Sequence, residues 1–174
     1  MRRRFTILGV PIAALLAVVA LTTVQAAAGN VHLKNKPPVS FTDQGLSLSS
    51  SGALTGLGNG DIVIALTATG QPVASCTNPS GQNQPAGQNP ATVTLSGVQS
   101  IPGSAIKNGN VSFNVSTGTP QTPVPGAPEC PNPQWTENIT DVVFSSATIT
   151  VYQPCDDTTA PISCPVVFQQ TFTL

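Results

Sequence analysis

The chain predicts an all-β fold, a two-sheet antiparallel sandwich of seven to nine strands that is immunoglobulin-like in the broad sense, and three observations carry that expectation. First, apolar and polar residues alternate in short runs. Ala147, Ile149 and Val151 alternate with Thr148, Thr150 and Tyr152, and Val166, Phe168, Phe172 and Leu174 alternate with Val167, Gln169, Thr171 and Thr173. Successive side chains of a strand point to opposite faces of a sheet, so a strand buried on one face needs this period of two. Second, Gly, Pro and Asn punctuate the runs at short intervals, as strand-to-strand connections require. Third, the chain holds 4 cysteines, an even number that two disulfides would use up in an exported protein.

Export is expected from the first residues. Arg2, Arg3 and Arg4 precede an apolar run from about Phe5 to Val24, and the small residues Val24, Ala26 and Ala28 offer two signal-peptidase sites. Residues 1–28 are thus read as a secretory signal peptide and residues 29–174 as one β-sandwich domain, secreted and extracellular, with no stable membrane anchor after cleavage. The remaining chain sets Lys34, Lys36 and Lys107 against 7 carboxylates, a net charge of about −4. Such a surface repels a phosphate backbone, which excludes nucleic acid as a partner. Ser, Thr, Asn and Gln must supply the polar surface instead.

The elements follow in order. Val31–Pro38 holds the only histidine, His32, and reads as a frayed terminus or a short edge strand. Val39–Thr42 begins the alternation, Leu46–Ser49 continues it after the turn residues Asp43, Gln44 and Gly45, and Ala53, Leu54 and Leu57 carry it less cleanly. Gly58-Asn59-Gly60-Asp61 is a turn by composition. It occurs once, whereas calcium-binding glycine-rich repeats need stacked copies. Ile62–Thr69 reads as a central strand, because even its outward side is partly apolar or β-branched. Gly70–Pro90 is expected to be a long loop. Val93 and Leu95 mark a further strand that Gly97 interrupts, and the turn Lys107–Asn110 leads into Val111–Ser116. A second long loop, Gly118–Asn138, holds six prolines, Cys130 and the only tryptophan, Trp135. Val142–Tyr152 and Val166–Leu174 complete the set.

Strand parity orders the cysteines. If successive strands run antiparallel, Cys76 and Cys130 fall at one end of the sandwich and Cys155 and Cys164 at the other. A strand of six to eight residues spans roughly 20–27 Å, whereas the Cα atoms of a disulfide lie within about 7 Å. The expected bridges are therefore Cys76–Cys130 and Cys155–Cys164. Both long loops carry a cysteine of the first bridge, which would hold them side by side.

Catalytic chemistry finds little support. A Ser-His-Asp arrangement needs a rigidly held histidine, and His32 stands next to the mature terminus. Cysteine nucleophiles are consumed by the bridges, and one histidine with four oxidised cysteines does not make a zinc site. Glu129, Glu137 and Asp141 lie in or near the second loop, and glycoside hydrolysis needs only two carboxyl groups. Such sites commonly stack sugars on several aromatics, however, and this chain has 1 Trp, 1 Tyr and 6 Phe. Asp156 and Asp157 are a candidate for calcium, although adjacent side chains diverge and a real site takes six to eight oxygens. Trp135 suits either a stacking platform or a packing anchor for its own loop. No catalytic residue, metal or cofactor is assigned. The expected function is a non-enzymatic extracellular binding or structural module that meets a protein or carbohydrate partner through loops 70–90 and 118–138, with Trp135, Glu129 and Glu137 as candidate binding residues. The alternatives are a small-ligand carrier or an inhibitor of an extracellular enzyme, and after them a hydrolase.

Overall fold

A computed structural model describes residues 30–36, 38–85, 91–124 and 130–174; the leader expected over residues 1–28 lies outside them, as does Glu129. The described residues form nine strands: β1 (His32–Leu33), β2 (Ser40–Asp43), β3 (Leu48–Thr55), β4 (Ile62–Thr77), β5 (Asn83–Pro85), β6 (Val93–Ile101), β7 (Val111–Ser116), β8 (Thr136–Tyr152) and β9 (Val166–Thr173). Every pairing is antiparallel. The chain is the all-β, two-sheet sandwich that its alternation predicts.

In the first sheet β3 is central. β7 pairs with Ser49–Leu54 of β3, while β2 pairs with Leu48–Ser51 and β1 with Leu54–Thr55. Because β7 and β2 overlap on β3, they lie on opposite edges, and β1 continues the β2 edge end to end. In the second sheet β8 pairs with β4 along its whole length, β6 and β5 share the other edge of β4, and β9 pairs with the Ser146–Tyr152 half of β8.

The core lies between the sheets. Ile62, Ile64, Leu66 and Ala68 of β4 face inward with no exposed surface, against Leu48 and Leu54 of β3, Phe113 and Val115 of β7, and Ala147, Ile149 and Val151 of β8. Each aliphatic side chain buried this way stabilises the fold by about 1.5–3 kcal/mol. Phe41 of β2 and Phe172 of β9 close one lateral side, their rings 5.0 Å apart. β6 and β7 close the other, where Gly118 N donates to Ser96 O at 2.9 Å.

Three boundaries differ from expectation. Gly70 does not start a loop: β4 runs on to Thr77 and pairs with Thr136–Phe144 of β8. A bulge between Thr69 and Gly70 accommodates the glycine, whose absent side chain leaves room for Val142. Pro72 lies within this extension, where no strand among the described residues pairs with the other edge of β4, since β6 pairs only up to Gly70 and β5 only from Ser75. A proline without an N–H is tolerated at such a bare edge. β8 correspondingly begins at Thr136, six residues before Val142. Gly97 does not interrupt β6, which runs unbroken from Val93 to Ile101.

β4 and β8, at 16 and 17 residues, are about twice as long as β3 at 8. The second sheet therefore outruns the first. Its Gly70–Thr77 and Thr136–Phe144 extension would leave the inner face bare, and the segment after β7 folds across it. Val124 of this cover and Cys76 beneath it are buried, 3% and 1% exposed.

Candidate functional site

The covering segment starts where Thr117, buried at the end of β7, exchanges two hydrogen bonds with Leu48: Thr117 N donates to Leu48 O and Leu48 N to Thr117 Oγ1. Gly118 then donates to Ser96 O on β6. Pro120 has no N–H and cannot extend this ladder, so the chain diverges from β6. The divergence leaves an open groove of about 420 Å³ between Thr92–Ser96 and Gly118–Gln121. Thr92, Thr94, Ser96, Thr119 and Gln121 line it together with Val93, Leu95 and Pro120, and no lining residue is charged.

Further along, two devices fasten the segment. Cys130 is bridged to Cys76 with Cα atoms 5.7 Å apart. Glu137 stands opposite Cys76 on β8, and its Oε2 accepts Val124 N–H at 3.0 Å. Its Oε1 is buried with no hydrogen-bond partner. Glu137, expected as a surface candidate, is thus an inward anchor for the loop. From the sequence Glu137 belongs to the second long loop, whereas β8 extends through it and sets it opposite Cys76, where it meets the covering segment. Trp135 is half-buried, and its backbone N–H donates to Asn132 O to close the turn before β8. Glu129 lies outside the described residues.

The other disulfide, Cys155–Cys164, has its Cα atoms 5.5 Å apart. The register pairs Val63 with Tyr152 near this bridge and Cys76 with Glu137 near the first, so the two bridges occupy opposite ends of β4 and β8. Both pairings are those that strand parity predicts. At this second end Gln153, which carried no sequence signal, does much of the joining. Its Oε1 accepts Gly58 N–H at 2.8 Å, and its Nε2 donates to Gly58 O and Gly60 O at 3.0 and 2.8 Å. Cys155 N donates to Asp61 O, and Asp61 Oδ1 accepts Gly103 N–H at 2.7 Å. Gln153→Ala removes three bonds at once and is expected to cost about 2 kcal/mol, read as a shift in the urea midpoint with an unchanged slope. An unchanged midpoint would mean that solvent replaces those bonds without loss.

Several of the remaining titratable groups are engaged with the backbone. Asp43 Oδ1 accepts Gly45 N–H, Asp141 Oδ1 accepts Val142 N–H and Asp157 Oδ1 accepts Thr159 N–H. His32 Nδ1 donates to Asn30 O at 2.8 Å on the exposed β1. Asp157 shapes its own turn and Asp156 is exposed. Among the described residues no three His, Cys, Asp or Glu side chains gather as a metal site would need. No helix among them is long and apolar enough to cross a membrane. The arrangement defines a disulfide-stapled β-sandwich with an uncharged groove beside its stapled loop. No protein family, curated protein or solved structure was found to match this chain.

Proposed function

We propose that the protein is a non-enzymatic extracellular binding module whose contact surface is the Cys76–Cys130 end of the sandwich. The observation that carries this reading is the groove between β6 and Gly118–Gln121, open, uncharged and walled by a strand on one side and the segment that follows β7 on the other. Rigid scaffolds commonly present their binding residues on loops held this way. The two disulfides accord with an extracellular setting. Hydroxyl and amide groups without charge suit an uncharged, hydrogen-bonding partner, a polysaccharide or an extended peptide strand. The groove is open rather than enclosed, which favours a docking surface over a small-ligand carrier.

The test is retention of the purified protein on its native extracellular material. Ser96→Arg places a long cation in the groove from an exposed position and is expected to reduce retention about tenfold, while a shortened 119–134 loop, with Cys76 also replaced, is expected to abolish it. Retention that survives both changes would refute the proposed surface.

A further inference from the structure

β9 is the one long lateral strand among the described residues that nothing protects. The β1–β2 edge is short, interrupted, ends on Asp43, and is flanked by Lys34, Lys36 and Pro38. The β5–β6 edge is crossed by Ser116–Gly118. β9, by contrast, pairs only with β8 among the described residues, and residues 166–174 contain neither a charged side chain nor a proline. Soluble proteins ordinarily blunt a long, flat, uncharged edge with such residues, because its unpaired N–H and C=O groups are a template for another strand.

The hydrogen-bonding phase of β9 shows which groups are unpaired. Leu174 N donates to Ser145 O, so Leu174 and, by alternation, Phe172, Gln170 and Phe168 turn their peptide groups toward β8. Gln169, Thr171 and Thr173 turn theirs to the open edge. The hydroxyl contact of Thr148 with Thr171, 2.9 Å, agrees with this phase, since side chains approach most closely in the pairs that do not exchange backbone bonds.

We propose that two copies of the chain join through β9, antiparallel about a two-fold axis at Gln170, so that their second sheets become one continuous sheet. The occupant is a second copy because the strand is complementary to itself in this register. Gln169 meets Thr171 of the other copy and Thr171 meets its Gln169, two outward-facing pairs that exchange four backbone hydrogen bonds. Phe168 meets Phe172 and Phe172 meets Phe168, aromatic cross-strand pairs that favour association. Both phenylalanines are only half-buried in the single chain, so the contact covers their remaining surface. A shift by one residue in either copy would set inward-turned peptide groups against outward-turned ones, and a shift by two would separate the phenylalanine pairs. The contact is isologous, as a closed dimer requires.

Sedimentation equilibrium of the full secreted chain over a wide concentration range is expected to show a reversible monomer–dimer equilibrium. Gln170→Lys and Gln170→Glu each set like charges face to face at the axis and are expected to weaken the dimer about tenfold or more. An equimolar mixture of the two variants is expected to recover it. Gln170 is exposed, so the melting temperature of dilute monomer is expected to stay constant. If either variant fails to fold, Thr171→Pro removes an outward N–H that β8 does not use and is read by the same loss of dimer. A wild-type chain that sediments as a monomer throughout overturns the proposal, as does a dimer indifferent to these variants or a charge-swapped mixture that stays monomeric.

Discussion

Replacing Cys76 and Cys130 together by alanine is expected to lower the stability of the fold by about 4 kcal/mol, the loop-closure entropy for their separation of 54 residues. At roughly 3 °C per kcal/mol for a chain of this size, the melting temperature should fall by about 12 °C. The figure is large beside a total stability of about 5–15 kcal/mol. The structural consequence should be local first. Without the bridge, Val124 N–H keeps its bond to the Glu137 carboxylate, and the cover over the Gly70–Thr77 extension is expected to open before the core does. Limited proteolysis should therefore cut between residues 118 and 135 in the variant and spare them in the parent. The corresponding change at Cys155 and Cys164, separated by 9 residues, is expected to cost about 3 kcal/mol. A loss below about 1 kcal/mol for the first pair would mean that the loop is held by packing alone.

Gly97→Ala is expected to destabilise the protein by about 3 kcal/mol or more. A Cβ at this position would lie 1.8 Å from Ser116 O, 2.7 Å from Ser116 C and 3.0 Å from Thr117 Cα. All three are backbone atoms, so no side chain can swing aside. The sheets meet here, and relieving the overlap must part Gly118 N from Ser96 O and disturb the Thr117–Leu48 pair. Gly81→Ala is the control. Its φ of +79° carries the usual strain for a side chain, about 1 kcal/mol, but nothing lies within 4 Å of the added carbon. Denaturant titration of both variants separates crowding from backbone conformation; equal losses would falsify the close approach as the reason for glycine at 97.

Much of this molecule is legible from local pattern because alternation is a one-dimensional signal. Ile62–Ala68, Phe113 with Val115, and Ala147–Val151 are each read correctly as inward rows, and parity along those strands is enough to pair the cysteines. Local pattern failed where a residue's role depends on a distant neighbour. Gly70 and Pro72 look like loop residues, yet a bulge and a stretch of edge between the β6 and β5 pairings accommodate both within β4. Gly97 looks like a break in β6, yet it is the contact point with Ser116. Glu137 and Gln153 resemble ordinary surface residues, and only their partners, Val124 in one case and Gly58 with Gly60 in the other, reveal their work.

The amino-acid sequence by itself determined the all-β class, the inward rows and the two bridges, because side-chain alternation and strand length are properties of a single chain segment. Tertiary structure alone decided that one sheet outruns the other, that a proline-rich segment must cover the excess, and that a groove remains where Pro120 ends its ladder on β6. Those outcomes depend on which strands lie side by side and how far each extends past its neighbour, quantities set by contacts between residues far apart in the chain.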